Sequence, residues 1–357
     1  MKKQTSAAEK IALVVTTIAK PQRVLRALAS GCQKHQWDFV VVGDAASPRN
    51  FNLTGCDYYS LRRQRQTGFK TAKRCPGGHY ARKNIGYLLA IREGAGVIVE
   101  TDDDNFPEKD FWQAREKIRT VKILKKTGWV NIYSYFSDSR IWPRGLPLTC
   151  ISNKISNKDL TQAKGICCPI QQGLANDNPD VDAIYRLVLP LPQRFNNLKD
   201  IALGKGAWSP FNSQNTGWWK EAFALLYLPS YCSFRMTDIW RSLVAQRIAW
   251  ENNWSILFYP PTVTQKRNKH NLLKDFTDEI PGYLRTETIE KTLSELSIKK
   301  GVNNIPDAMR LCYKHLVRKN IFDKRELWLL ESWLGDLEDI GSGNLCQDCR
   351  GDTLNKA

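Results

Sequence analysis

Residues 11–18, IALVVTTI, form an almost unbroken apolar run, the pattern of a strand buried on both faces. Pro21 then opens a helix that continues to about Ser30 and stops at Gly31. Asp38-Phe-Val-Val-Val-Gly43 repeats the buried-strand pattern. A helical stretch covers 80–93, Gly94-Ala-Gly96 ends it, and Val97-Ile-Val-Glu-Thr101 is a third such strand. Strand, helix, strand, helix, strand predicts a parallel, right-handed, doubly wound α/β sheet. Ligands of such sheets sit at the carboxyl ends of the strands. Three candidates lie there: Thr16-Thr17, Gly43-Asp44 and Asp102-Asp103-Asp104.

Beyond the third strand the pattern loosens. Residues 138–215 are rich in Pro, Asn and Gly and read as long loops with a few short strands; loops of that length inside a domain tend to be functional. Helices are predicted over 218–228 and 238–253, with strands at 231–234 and 254–259. From about 283 the composition becomes amphipathic helix. Asp323 with Glu326 resembles a capping pair, and Leu327, Leu330, Leu334 and Leu337 share one helical face. The expected division is a flexible start (1–10), one α/β domain (11–282), a small helical appendage (283–340) and a tail (341–357).

The chain has 357 residues, 53 Lys+Arg against 36 Asp+Glu, and a net charge of +17. At 42% hydrophobic and 25% charged it is neither disordered nor fibrous. The excess charge favours a polyanionic partner: nucleic acid, an anionic membrane face, a phosphorylated glycan or a nucleotide. Nucleic acid is disfavoured, because no binding module is legible and three acids adjoin the most basic stretch. No run approaches the roughly 18 apolar residues of a transmembrane segment, and the first apolar run is too short for a signal peptide. Ten cysteines without framework spacing read as reduced thiols. The expectation is a cytoplasmic protein, with peripheral association at an anionic inner membrane face left open. Cys346-x-x-Cys349 is half of a zinc site and says little alone.

The acidic triplet is the sharpest chemical signal. Three successive carboxylates after a buried strand repel one another and cannot be buried without a cation. At a strand end they suit a hard divalent ion, Mn²⁺ or Mg²⁺. The alternative is an acidic N-cap for a helix beginning near Pro107. Between Leu61 and Arg92 stand nine Lys or Arg and no acid, including Arg82-Lys83 followed by Asn84. A basic segment before an acidic cation site suits a nucleoside diphosphate; a solvated loop is the competing reading. No GxGxxG follows the first strand, and no GxxxxGK[ST], nucleophile elbow or HExxH occurs.

Further candidates remain two-sided. Asp180 and Asp182 fall on one face of an extended segment and either contact a sugar or mark a surface turn. Pro210–Gly217, with Asn212 and Asn215, is dense in amides that suit sugar hydroxyls, or else a polar loop. Trp142, Trp208, Trp218 and Trp219 lie in or beside the long loops, where indoles could stack on sugars.

The blocks IALVVTTI, VVVGDAASP, YARKNIGYLLAIREGAGVIVETDDDN, PDVDAIYRL, SPFNSQNT, FRMTDIWRSLVAQRIAW and PPTVTQKRNKHN, in that order, resemble the STELLO-type glycosyltransferase family. That family is similar around the three aspartates to plant reversibly glycosylated polypeptides, which act as UDP-arabinopyranose mutases. The resemblance implies a GT-A-type, Rossmann-like, doubly wound mixed sheet, a nucleotide-sugar donor such as a UDP-sugar, and Mn²⁺ or Mg²⁺. It further implies a glycan or lipid-linked hydroxyl acceptor. On the family's pattern, Asp102 and Asp104 would be metal ligands, and Asp102 and Asp103 would also meet the donor. Thr16, Thr17 and Asp44 would line the nucleobase and ribose pocket, while Arg82, Lys83 and Asn84 would face the diphosphate or sugar. Asp182, Asn212 and Asn215 would touch the sugar. Arg267 would meet the diphosphate and His270 would complete the metal shell. Asp238 would be the general base of an inverting displacement, or else a helix cap. A UDP-sugar mutase and a non-catalytic nucleotide-sugar-binding scaffold are the alternatives. Plant members are membrane-anchored in the Golgi; that location and their partnership in cellulose synthesis are not carried over.

Overall fold

The structure, a computed structural model, describes residues 9–267 and 271–343. Its first half follows the apolar pattern, although the first helix runs through Gly31 to His35. Strands β1 (Ile11–Thr17), β2 (Asp38–Gly43), β3 (Asp57–Tyr59) and β4 (Val97–Thr101) are parallel, in the order β3-β2-β1-β4. Alternate residues of β1 serve opposite faces. Leu13 and Val15 join α1 (Arg23–His35) through Leu25 and Leu28, while Ala12 and Val14 join the other core. On that second face lie α2 (Leu61–Arg65), α3 (Lys70–Arg74) and α4 (Lys83–Arg92). Helix α4 is buried on every side from Lys83 to Ala90. Gly86 makes this possible: a Cβ there would lie 2.6 Å from Val14 Cγ1 and 2.8 Å from Val42 Cγ2.

The second half departs further from expectation. It comprises β5 (Asn105–Pro107), β6 (Ile118–Leu124), β7 (Gly128–Trp129), α5 (Tyr133–Phe136), β8 (Leu160–Asn176), α6 (Ala183–Val188), β9 (Ile201–Leu203), β10 (Ala207–Trp208), β11 (Asn215–Trp219), α7 (Thr237–Glu251) and β12 (Trp254–Gln265). The main sheet has ten strands in the order β3-β2-β1-β4-β11-β8-β6-β9-β12-β5, and β12 also pairs with β8. It is mixed, with β11 antiparallel to both β4 and β8. The architecture is the GT-A-like mixed α/β fold that the resemblance implies.

Several local expectations are corrected. The expected loop region contains β8, a 17-residue strand. Its amides and small residues hide it from a hydrophobicity scan, because Gln171 and Gln172 are buried and hydrogen-bonded. Residues 218–228 are not an α-helix; Trp218 and Trp219 end β11 and a 3₁₀ stretch, Lys220–Leu226, follows. Trp142, Trp208, Trp218 and Trp219 are all buried, so none offers a sugar platform. No strand forms at 231–234. Pro107 lies in β5; only a short 3₁₀ turn, Lys109–Trp112, follows it, with Glu108 at the N-cap position, so the aspartates do not cap it. Strand β12 continues through Pro260-Pro261 at a register shift, where missing donors are tolerated.

Helices α8 (Leu272–Ser294), α9 (Ile305–Arg318) and α10 (Arg325–Gly341) complete the described chain; α8 begins earlier than the expected 283 and contains Pro281. Tyr313, Leu330 and Trp333 belong to the same hydrophobic cluster as Tyr87, Tyr227 and Trp240. Glu326 in the first turn of α10 is fully buried. It does not cap its own helix but accepts hydrogen bonds from Ser230 N (3.0 Å), Tyr231 N (2.7 Å) and the Tyr227 hydroxyl. Deeper in the core, Glu100 of β4 accepts from Arg241 Nη2 of α7 (2.7 Å) and Trp218 Nε1 (2.9 Å), and the Tyr87 hydroxyl donates to it as well. This satisfied carboxylate ties α4, α7 and β11 to the strand that ends in the acidic triplet.

Candidate active site

A cleft of about 500 Å³ opens at the carboxyl ends of β1, β2 and β4. Thr16, Thr17, Asp44, the three aspartates Asp102, Asp103 and Asp104, and Arg144, Ser213, Arg235, Asp238, Gln265 and Arg267 are among the residues that line it. Chain ends of parallel strands converge here, which is why residues 16, 44 and 102 meet despite their separation. Asp44 accepts from His79 N (2.9 Å) and from Ala45 N (2.7 Å).

The three aspartates occupy the turn between β4 and β5, and each has a different partner. Asp102 is held by Lys83 Nζ at 2.9 Å, Asp103 accepts from Thr17 Oγ1 at 2.5 Å, and Asp104 accepts from Gln265 Nε2 at 3.1 Å. Burial raises the carboxyl pKa of all three. Asp104 reaches about 7, because the negative charge of Asp102 adds to its desolvation. Carboxylates in this state gain from any cation that replaces their lost hydration. Among the described residues no three acidic, His or Cys groups converge into a complete metal cage.

The basic residues divide. Lys83 is fully buried and donates to Thr101 O (3.0 Å) and Ser213 O (3.4 Å) besides Asp102, so it braces the triplet from behind and does not line the cleft. Arg82 does line it; its Nε donates to Gln64 Oε1 (2.7 Å) and Nη1 to Cys75 O (2.8 Å). Arg267 lines the opposite side and pairs with Asp275 at 2.8 Å. His270 lies outside the described residues.

Other predicted contacts point elsewhere. Asn84 is fully buried and clamps the backbone of Leu228 at 2.8 Å in both directions. Asp182 N-caps α6, accepting from Tyr185 N (2.7 Å) and Trp142 Nε1 (2.6 Å). Its neighbour Asp180 pairs with Arg144 instead, so the two acids do not act from one face. Asn215 Nδ2 binds Leu174 O (3.1 Å) and Thr262 Oγ1 (2.9 Å), and Asn212 Oδ1 accepts from Gln214 N (3.0 Å). Their neighbour Ser213 is the member of that segment that lines the cleft.

Asp238 sits in the cleft wall, but its carboxylate is engaged. Tyr80 Oη donates to it at 3.1 Å, Ser213 N at 3.0 Å and Arg144 Nη2 at 3.2 Å. Burial alone would raise its pKa; Arg144, then Arg241 and the Ser213 amide, overcome this and hold it at about 2. A carboxylate this acidic and this occupied is a weak proton acceptor, which counts against the expected general-base role. Arg144 is the residue that sequence reading missed. Its fork grips Asp180 through two 2.8 Å bonds and reaches Asp238 with the same Nη2. Nothing in a Pro-Arg-Gly loop signals partners 36 and 94 residues away. His79, Tyr80 and Phe234 form an aromatic wall with ring centroids 4.9–5.5 Å apart. Burial lowers His79 to about 4, so its ring is neutral at neutral pH.

Comparison with known proteins adds the decisive link. Residues 235–346 match the family described as STELLO glycosyltransferases. The chain is 31% identical over 270 residues to the "Probable glycosyltransferase STELLO2" of Arabidopsis thaliana, covering 70% of this chain and 35% of that protein. Across most of its length this chain is similar to a STELLO protein. The "Probable glycosyltransferase STELLO1" of the same plant is 29% identical over 277 residues, covering 70% of this chain and 34% of that protein. The chain therefore spans about a third of the length of these curated STELLO relatives. The segment matched to the STELLO family begins at Arg235 in the cleft and includes Asp238, Gln265 and Arg267, so it supplies four of the lining residues. Among the described residues no helix is long and apolar enough to cross a membrane.

Proposed function

We propose that this protein is a metal-dependent glycosyltransferase that moves a sugar from a nucleotide donor, a UDP-sugar first of all, to a hydroxyl of a glycan or glycolipid. The observation that carries the proposal is the cleft itself: three partly buried, mutually repelling aspartates at the carboxyl ends of a parallel sheet, beside Thr16, Thr17 and Asp44. The similarity to proteins named glycosyltransferases supports the same reading.

Asp102 and Asp104 are hard oxygen donors that fit Mn²⁺ or Mg²⁺, and with so few protein ligands the diphosphate and water would fill the remaining positions. When bound, the ion would neutralise charge on the departing nucleoside diphosphate. Thr16, Thr17 and Asp44 hold the nucleoside end, Arg82 and Arg267 supply positive charge to the diphosphate, and Lys83 fixes the direction of Asp102. Asp238 positions Tyr80 and Ser213 in this scheme, and the acceptor's proton is not assigned to it.

The second reading is a UDP-sugar mutase, favoured by the engaged state of Asp238, since ring interconversion needs no base for an external hydroxyl. A thermal-shift screen of nucleoside diphosphates and UDP-sugars, with and without Mn²⁺, tests the donor class. Stabilisation that requires both nucleotide and metal is expected; none across the panel overturns the proposal. Chromatography of UDP-sugars incubated without acceptor then separates mutase from transferase, and a bound donor that is never turned over would identify a scaffold.

A further inference from the structure

The described residues expose twelve large hydrophobic side chains, and five of them fall on α6 and α8. Leu273 (69% exposed), Ile280 (36%) and Leu284 (71%) lie on the outer face of α8, at spacings that return to one side of a helix. Leu187 (44%) and Val188 (68%) end α6, which is fastened to α8 where Glu279 Oε2 accepts from Ala183 N at 2.7 Å. Exposed apolar residues that repeat on one side of a helix mark an interaction surface.

We propose that this α6–α8 face seats the protein on an anionic bilayer. Charge chooses the occupant. The exposed charged residues of α8 are Lys274, Arg285 and Lys291 against Glu287, which accepts a hydrogen bond from Thr149 Oγ1 at 3.2 Å; Asp278 and Glu290 are half-buried. Apolar side chains flanked by Lys and Arg on one helical face are the pattern of an interfacial helix, with basic residues meeting headgroups and Leu entering the acyl boundary. A second copy fits less well, because pairing this face would set two chains of +17 against each other. Helix α8 adjoins the cleft on its other, buried side. Phe234, 45% exposed in the cleft wall, lies between Ser233, whose hydroxyl donates to Asp278 O of α8, and Arg235, which pairs with Glu279 at 2.9 Å.

The test is co-sedimentation of the full chain with vesicles of phosphatidylcholine alone and of phosphatidylcholine with about one third phosphatidylserine, a strongly anionic surface. Wild type should bind the anionic vesicles, and V188S/L273S/L284S should bind them on the order of tenfold or more weakly. Circular dichroism melts of the variant should match wild type, because all three side chains face outward. K274E/R285E should lose the preference for the anionic vesicles. No sedimentation of wild type overturns the proposal. So does equal binding by the triple variant, which would assign attraction to charge elsewhere. A wild-type dimer that the triple variant converts to monomer would assign the face to a second copy and equally overturn it.

Discussion

Replacing Arg144 with Met removes the one cation that joins Asp180 to Asp238 while keeping most of the side-chain volume. Both carboxylates are buried, at 7% and 3% exposure, so neither can recover its hydration. Holding Asp238 at about 2 rather than its ordinary 3.8 favours the folded state by about 2.5 kcal/mol at neutral pH. The loss of the two-bond grip on Asp180 adds to this, and breaking buried pairs of this type costs about 3–5 kcal/mol in all. The sign with pH is fixed. A depressed carboxyl stabilises above its unfolded value and loses that contribution as pH falls through about 4 toward 2. The deficit of R144M against wild type should therefore be full at pH 7 and shrink toward pH 4, as its stranded carboxylates take up protons. Urea denaturation across that range measures it, and R144M/D180N should recover part of the loss. A deficit under about 1 kcal/mol at pH 7, well below that of a broken buried pair, or one that does not change with pH, would refute the account of Arg144 as a charge clamp.

Three further outcomes are expected. D104N should weaken the Mn²⁺-dependent stabilisation by UDP about tenfold or more in the thermal-shift assay, while leaving the metal-free melting temperature near wild type. Glu326 is pushed up to about 7, chiefly by burial, from an ordinary 4.5. The folded state thus holds this proton more tightly, and stability falls as pH rises from about 4.5 to 7, by up to about 3 kcal/mol. The near-isosteric E326Q should flatten that slope in melts taken at successive pH values. G86A should cost about 1–3 kcal/mol by denaturant midpoint, because its Cβ collides with Val14 and Val42 and the overlap outweighs the gain in helix propensity.

The parallel half of the fold was legible because fully buried strands write themselves as apolar runs: β1, β2 and β4 fall where IALVVTT, DFVVVG and VIVET stand. Long strand β8 was not, because its buried positions carry Gln171 and Gln172, whose side-chain amides donate hydrogen bonds that hydropathy cannot register. The same limit governs the cleft. Strand-end residues such as Thr17 and Asp102 are recognisable from position, whereas Arg144 arrives from a loop and Tyr80 and Phe234 from short 3₁₀ turns, all far along the chain from one another. Asn84, Asp182 and Asn215 show the converse: polar residues in family-like blocks that spend their hydrogen bonds on the backbone of the scaffold.

Glu100 and Arg241 stand 141 positions apart, yet each is tolerable in the interior only because the other is there. Random mutation reaches such a pair one member at a time, and either first step strands a charge beneath the cleft. Descendants of an ancestral chain should consequently retain both or have exchanged both, together with the ring donors from Tyr87 and Trp218. Lineages caught between would be few, so the couple should drift through evolutionary time as one heritable character rather than two.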